Sequence, residues 1–217
     1  MKYARIHLFY RLLRPFSEAR RAQRMKLFAQ SLDLHDGMRV LDLGGAPQFW
    51  KNFDLYAFDI TVVNLPSMLE PGEVTVGRHT VKKLAGDATD MSDHSPNSFD
   101  LVFSNSVIEH VGDDAKVRAF SENVKRLAPR YWVQTPSKWF PIEAHTGFPF
   151  WFLLPQGVRD MMIKRWRKKL PAWTEMVEET IVLERKRLQS LFPDGDLLVE
   201  RFAGFPKSYC IFRNGPA

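Results

Sequence analysis

Glycine and polar residues stand at the ends of several short apolar runs in the first half of this 217-residue sequence. Asp42 lies inside the run Met38–Leu43, and Gly44 and Gly45 stop that run. Glycines at the end of a buried strand let the backbone approach a ligand closely, and α/β proteins bind cofactors at the carboxyl edge of a parallel sheet. The same two glycines could instead make only a tight turn, and taken alone they favour neither interpretation.

The spacing of later polar residues favours the cofactor interpretation. Asn64 ends the next apolar run, 22 residues after Asp42, and in nucleotide-binding folds a polar residue about 20 residues on meets the ribose hydroxyls. Asp87 follows a third run, where a carboxylate can accept a hydrogen bond from the exocyclic amine of adenine. Ser104 and Asn105 end a fourth run. Each is an ordinary turn residue by itself, but in this order they predict a cofactor site.

These residues require a particular arrangement of strands and helices. Residues 113–127 have a helical spacing of apolar side chains, and continuous apolar strands separated by helices indicate a parallel sheet that is covered on both faces. The short connection Ala203–Lys207 predicts a closing antiparallel strand pair. Strands are predicted at Met38–Leu43, Ile60–Asn64, Val81–Ala85, Phe99–Asn105, Tyr131–Thr135, Leu197–Phe202 and Ser208–Phe212.

The predicted fold is therefore α/β, Rossmann-like and doubly wound. Its mostly parallel, seven-stranded sheet carries an antiparallel C-terminal strand, with N-terminal helices before it and a helical insertion after strand five. Basic amphipathic helices are expected in residues 1–35, the first over 6–16 and the second ending near Leu34. The main domain is expected over 36–217, with a substrate-side loop and cap at about 136–191 that is helical from Gly157 and broken at Pro171.

Three segments resemble the successive motifs of class I S-adenosylmethionine-dependent methyltransferases: Val40–Gly45, Gly86–Ala88 and Phe99–Val111. The similarity is closest to the bacterial type 11 group and covers about residues 36–135. The stretch Gln134–Glu143, with His145, is similar to a subgroup often found near glycan or lipid modification genes.

The resemblance implies S-adenosyl-L-methionine as the cofactor and assigns residues to it. Asp42, Gly44 and Gly45 would line its methionine and ribose part, and Asn64 would meet the ribose. The adenine would be held by Asp87 and Ala88, and the sulfonium would lie above Ser104 and Asn105. Two positions depart from the family pattern: Ala46-Pro47-Gln48 stands where a third glycine is usual, and Asn64 stands where an acidic residue is usual.

The first loop argues against a nicotinamide dinucleotide on physical grounds. A dinucleotide loop needs three spaced glycines so that the pyrophosphate can lie on a helix N-terminus. The segment 44–47 lacks that spacing. S-adenosylmethionine has no phosphate, so a shorter glycine set suffices.

The acceptor site is expected near the end of strand four and in the loop after strand five. Transfer to a hydroxyl benefits from a general base, for which the candidates are His110, His145 and Glu143. His110 could equally pack beside the cofactor, His145 could be an ordinary loop histidine, and Glu143 could orient His145. No compact His, Asp and Glu set is visible, so no metal is expected.

Aromatic and basic residues surround this predicted acceptor loop. The aromatic residues between 139 and 152 could form a lid, a platform for sugar rings or acyl chains, or a second small core. Residues 159–170 carry a balance of +5 and residues 1–30 a balance of +7, so the rest of the chain is acidic. The basic helix over Met161–Lys169 could touch an anionic membrane or could be a solvated helix face.

Composition excludes several classes of protein. Apolar residues make up 45% and charged residues 26%, so the chain is not disordered throughout. The single cysteine, Cys210, excludes a disulfide framework and fits a reducing compartment. No signal peptide or membrane span is evident, so a cytoplasmic protein is expected, with peripheral contact at the inner membrane face as an open alternative.

The expected function is O-methylation of a glycan, a lipid-linked precursor or a small metabolite. The two basic segments also suit an RNA methyltransferase, although a separate RNA-binding module and a catalytic cysteine near the sheet edge are missing. A third hypothesis is a membrane-peripheral protein that retains the fold without catalysis. The acceptor atom and the oligomeric state do not follow from the sequence.

Overall fold

A computed structural model describes residues 19–142, 146 and 148–215. Helix α1 occupies residues 19–31 of the described chain. The strands are β1 (Arg39–Leu43), β2 (Asp59–Asn64), β3 (Gly72–Val76), β4 (His79–Ala85), β5 (Leu101–Asn105), β6 (Arg130–Pro136), β7 (Asp196–Phe202) and β8 (Phe205–Arg213). The later helices are α2 (Asp114–Leu127), α3 (Gln156–Arg167), α4 (Pro171–Glu179) and α5 (Arg185–Leu191), and short 3-10 helices occupy Pro47–Asn52, Ile108–His110 and Trp151–Leu153.

The described strands form one eight-stranded sheet in the order β3-β4-β2-β1-β5-β6-β8-β7. Strands β4, β2, β1, β5 and β6 are parallel, whereas β8 is antiparallel to both β6 and β7. The mostly parallel Rossmann-like sheet with an antiparallel C-terminal strand is therefore confirmed. The sheet has eight strands, one more than the seven expected. The additional strand is β3, which pairs with β4 in an antiparallel hairpin at the sheet edge.

The connections differ from the expected alternation of strands and helices. Helix α2 joins β5 to β6 as expected, and Asp113 caps it by accepting a hydrogen bond from the backbone N–H of Lys116. A 3-10 helix joins β1 to β2 instead, β3 lies between β2 and β4, and turns join β4 to β5. In the described chain, helices therefore separate far fewer of the parallel strands than the sequence pattern suggested.

Two apolar cores cover the two faces of the sheet. On one face, α2 and α5 pack against residues such as Val102 and Val133. On the other face, α1 inserts the fully buried ring of Phe28 against Trp50, Phe103 and Trp132, with ring centroids 5.3 to 6.3 Å apart. Helix α1 and the 3-10 helix thus cover the face that crossover helices leave open.

The insertion after β6 is helical, as predicted. Helix α3 ends at Arg167, and α4 begins with Pro171 in its first turn, where the missing N–H of proline costs no hydrogen bond. The predicted helix over residues 6–16 lies outside the described residues. The helix expected to reach Leu34 ends three residues earlier. Among the described helices, none is both long and apolar enough to cross a membrane.

Candidate functional site

Asp42 is a buried carboxylate at the carboxyl edge of β1. Its side chain is 1% exposed, and Oδ2 accepts a hydrogen bond of 2.9 Å from the indole N–H of Trp50. Oδ1 is buried without a hydrogen-bond partner among the described residues. Burial raises the pKa of Asp42 to about 7, against the opposing effect of the Trp50 hydrogen bond. The site therefore holds a carboxylate with unused accepting capacity.

Neighbouring side chains occupy the space that a side chain on Gly44 or Gly45 would need. Gly44 has φ +76°, and a Cβ there would lie 2.5 Å from a methyl group of Val107 in the loop after β5. A Cβ on Gly45 would lie 1.9 Å from Oδ2 of Asp42. The two glycines thus leave the Asp42 carboxylate in place and allow the loops after β1 and β5 to pack closely against each other.

Asn64 ties the glycine loop to the end of β2. Its Nδ2 donates hydrogen bonds of 3.1 and 3.0 Å to the carbonyls of Gly44 and Gly45, and its Oδ1 accepts one of 2.8 Å from the N–H of Leu65. A carboxylate could not donate to either carbonyl, so this bonding gives a physical reason for the amide. Contact of Asn64 with a ribose stays a prediction.

Asp87 and Ala88 lie at the end of β4, on the same edge of the sheet. The Asp87 side chain is exposed, and its Oδ1 accepts hydrogen bonds of 2.8 Å from both the N–H and the hydroxyl of Thr89. The carbonyl of Ala88 accepts a hydrogen bond from Asn123 of α2. These bonds fix the turn after β4, and its role at the adenine stays a prediction.

Ser104 and Asn105 end β5 beside Asp42's strand. Ser104 is fully buried and donates a hydrogen bond of 3.1 Å to the carbonyl of Leu43. Ser106 follows with φ 57°, a left-handed conformation that non-glycine residues adopt uncommonly. Its hydroxyl donates to Oε1 of Gln134. The chain therefore turns sharply where the resemblance expects the sulfonium.

A polar cluster around Arg24 lies at the carboxyl ends of β5 and β6; we call it the Arg24 cluster. Arg24 of α1 donates to Oδ1 of Asn105 at 2.6 Å, to Oε1 of Gln134 at 3.2 Å and to the carboxylate of Glu200 at 2.8 to 3.1 Å. Because a guanidinium only donates, the amide oxygen of Asn105 must face it, and the amino group of Asn105 is turned away. Beyond the other end of α1, Asp33 and Asn214 exchange hydrogen bonds of 2.7 and 2.8 Å, which join the segment after α1 to the segment after β8.

Of the three candidate bases, His110 alone lies within the described residues. His110 is exposed in the 3-10 helix after β5, and its Nδ1 lies 3.3 Å from Oγ1 of Thr180. Its neighbour Glu109 is fully buried and accepts a hydrogen bond of 3.0 Å from Thr135. Glu143 and His145 lie outside the described residues, so their roles stay predictions.

The aromatic residues after β6 divide into two groups. Trp151 is buried and stacks on Trp166 of α3 at 5.2 Å, and Trp166 meets Trp173 of α4 at 5.0 Å, so these rings form a second small core. Trp139 and Phe150 are more than half exposed. Trp151 therefore belongs to a second small core, whereas a lid or a platform formed by Trp139 and Phe150 stays a prediction.

Sequence reasoning missed Arg24, Trp50 and Glu200. Arg24 belongs to a basic helix that resembles a solvated face, and its partner Glu200 lies 176 residues away. Trp50 lies in the 3-10 helix after β1, a segment for which the sequence analysis predicted no element. A tryptophan eight residues after the strand aspartate is the only local signal for that contact.

The residues fit S-adenosylmethionine on two structural observations. Its methionine part carries an ammonium group and its sulfonium a second positive charge, and Asp42 offers a carboxylate oxygen that is unpartnered among the described residues. The missing side chain at Gly45 also leaves this carboxylate in place, because a Cβ there would collide with it. Asp42, Gly44 and Gly45 would hold the methionine and ribose part.

Comparisons with known proteins find a similar domain and a similar fold. Residues 41–130 match the model of a methyltransferase domain. No curated protein matches the sequence. The fold resembles phosphoethanolamine N-methyltransferase 2 from Haemonchus contortus, solved with S-adenosyl-L-methionine, with 11% identity, a TM-score of 0.57 and coverage of 92% of this chain and 53% of that one.

A second similar structure has nearly the same length. It is the N-methyltransferase NodS from Bradyrhizobium japonicum WM9 in complex with S-adenosyl-L-homocysteine, with 16% identity, a TM-score of 0.53 and coverage of 94% of this chain and 89% of that one. The chain spans about half the length of the Haemonchus enzyme. Residues 41–130 are thus similar to a methyltransferase domain, and the described chain has a fold like that of these two methyltransferases.

Proposed function

We propose that this chain transfers the methyl group of S-adenosylmethionine to a hydroxyl group on a glycan, a lipid-linked precursor or a small metabolite. The observation that carries the proposal is the buried Asp42 carboxylate, with Oδ1 unpartnered among the described residues beside the Gly44-Gly45 pair. A buried carboxylate with unused accepting capacity is costly unless a ligand uses it. The cost is offset when a cation binds there.

The chain's own residues have three tasks in this reaction. When bound, S-adenosylmethionine supplies a methyl group already activated by the sulfonium. Asp42 and the glycine loop hold the donor, and Asn64 keeps that loop closed through its two carbonyl contacts. The Arg24 cluster fixes Asn105 at the acceptor side and leaves its amino group to donate a hydrogen bond. Alignment and exclusion of water then supply most of the rate enhancement.

A general base would take the proton of the hydroxyl acceptor, and His145 is the first candidate. His110 is the second, since it follows β5 directly and lies beside Thr180. Glu143 would orient His145 or accept the proton itself. A base with a pKa near the working pH serves best, which favours a histidine.

Calorimetric titration with S-adenosylhomocysteine tests the cofactor part of the proposal. The parent chain should bind it, and Asp42→Asn should weaken binding by about tenfold or more, because a charge-assisted hydrogen bond is lost. Asp59→Asn is the matched control, since Asp59 is an exposed carboxylate at the opposite end of the neighbouring strand. Absence of binding by the parent, or equal binding by Asp42→Asn, would overturn the proposal.

Transfer of a radiolabelled methyl group to fractionated cell extract tests the acceptor part. Label should enter the glycan, lipid or small-molecule fraction and survive treatment with ribonuclease. His145→Ala should lower the rate by about a hundredfold if His145 is the base, with His35→Ala, an exposed histidine before β1, as control. Label found only in RNA would refute the proposed acceptor class.

A further inference from the structure

One exposed face of α3 combines apolar and basic side chains. Met161 is 64% exposed, and Val158 is 38% exposed three residues before it. Lys164, Arg165 and Lys168 follow Met161 by three, four and seven residues, so all five side chains share one side of the helix. We call these five residues the α3 outer face.

The opposite side of α3 is held against the insertion. Trp166 packs between Trp151 and Trp173, with ring centroids 5.2 and 5.0 Å away. These contacts fix the rotation of α3 about its axis. The α3 outer face is therefore directed away from the protein, and Leu153, just before the helix, is 66% exposed.

The positive charge of this face is not neutralised by the protein. Arg167, on another side of α3, pairs with Glu178 of α4. Within the described chain, Lys164, Arg165 and Lys168 form no ion pair. The segment 159–170 carries a balance of +5 on a chain whose residues outside this segment and 1–30 are acidic overall. The face thus complements a surface that is both anionic and able to accept apolar side chains.

We infer that the α3 outer face docks the protein on an anionic lipid bilayer. Met161 and Val158 would enter the boundary between headgroups and acyl chains, while the lysines and Arg165 meet anionic headgroups. A phosphate track on nucleic acid would use the cations but would offer no apolar environment to Met161, which favours lipid as the occupant.

Docking would bring the candidate site to the lipid surface. The insertion begins after the carboxyl end of β6 and returns to the same edge, where the N–H of Ile181 donates a hydrogen bond of 2.7 Å to the carbonyl of Glu109. This placement favours a lipid-linked hydroxyl among the proposed acceptors, a choice that rests on the proposed function. The docking itself does not depend on methyl transfer.

Vesicle flotation with the full chain tests the inference. Vesicles of phosphatidylcholine and phosphatidylglycerol at 3:1 should carry the protein to the top of the gradient, and vesicles of phosphatidylcholine alone should not. Raising the salt concentration should release it. Met161→Asp should weaken partitioning by about tenfold. Lys164→Gln combined with Lys168→Gln should weaken partitioning by about 30-fold, because each cation near the membrane surface contributes about 1 kcal/mol.

Matched variants on other surfaces serve as controls. Leu55→Asp changes an apolar residue that is 58% exposed, and Lys51→Gln combined with Lys82→Gln removes two exposed cations; both should float like the parent. The inference fails if the parent does not float, if neutral vesicles bind equally well, or if the α3 variants float like the controls. It also fails if the parent binds a 20-nucleotide RNA and this binding is lost in the double lysine variant but kept by Met161→Asp.

The same variants separate the two proposals. Titration with S-adenosylhomocysteine should give parent-like affinity for every α3 variant, which also shows that each variant is folded. Lost flotation with retained cofactor binding supports docking through this face. Failure of the parent to bind S-adenosylhomocysteine would overturn the proposed function without affecting the flotation result.

Discussion

Replacing Asp42 by asparagine should stabilise the protein at alkaline pH while weakening cofactor binding. The folded state raises the pKa of this carboxyl from 3.8 to about 7, because burial disfavours the charged form. Between these two values the folded state binds more protons than the unfolded state, so the contribution of Asp42 to stability falls as the pH rises. Asparagine does not titrate, and its amide oxygen can still accept the hydrogen bond from Trp50.

The size of the effect follows from the pKa shift. At pH 5 the carboxyl of Asp42 is already ionised in the unfolded state. From pH 5 to about pH 7, each pH unit therefore lowers the free energy of unfolding of the parent by about 1.4 kcal/mol. The stability advantage of Asp42→Asn should therefore grow by about 3 kcal/mol between pH 5 and pH 8, or about 6–12 °C in Tm for a chain of this size.

Urea unfolding of the parent and of Asp42→Asn at both pH values measures this change. Any effect of the substitution that does not depend on pH cancels in the comparison. Asp59→Asn controls for the loss of one negative charge. A stability difference that stays the same from pH 5 to pH 8 would refute the reasoning, because it would mean that the Asp42 carboxylate ionises as readily in the folded state as in the unfolded state.

Three further substitutions test the contacts around the site. Asn64→Asp restores the acidic residue of the family pattern but places a carboxylate 3.0 to 3.1 Å from two carbonyl oxygens. It should therefore weaken S-adenosylhomocysteine binding by about tenfold in calorimetry. Tighter binding would contradict the assigned role of the amide. Gly45→Ala puts a Cβ 1.9 Å from the Asp42 carboxylate and should lower the free energy of unfolding by about 2 kcal/mol in urea, whereas Gly157→Ala, whose Cβ meets nothing within 4 Å, should not lower it. Arg24→Met leaves Glu200 buried without its cation and should cost about 3 kcal/mol, and adding Glu200→Met should recover most of it; a double variant as unstable as the single one would show that the ion pair is not the reason.

The central parallel strands β1, β5 and β6 were predictable because they are buried on both faces. Continuous apolar runs such as Phe99–Asn105 have few alternatives to a buried strand in a chain of this composition. The order of these strands determines which strand ends meet at one edge of the sheet. Strand β3 was missed because four of its five residues are exposed, and its sequence, Gly72–Val76, begins with a turn residue. An edge strand depends on its partner, here β4, more than on its own pattern.

The candidate site was predictable only as a set of backbone positions. Asp42 and Ser104 lie at strand ends, where local sequence marks them. Their hydrogen bonds were not predictable, because the bond from Trp50 depends on a 3-10 helix in place of a longer crossover helix. The Arg24 cluster joins residues from four separate elements, and a count of charges over residues 1–30 gives no sign that Arg24 has these partners.

The pairing of α1 with the C-terminal strands has a consequence for folding during synthesis. Arg24 and Asp33 leave the ribosome long before Glu200 and Asn214, which are 176 and 181 residues further along. Contacts over such separations form late, so the Phe28 side of α1 lacks part of its final surroundings until the last strands emerge. Nascent chains stalled before β7 should therefore recruit chaperones to α1, and those released after β8 should not.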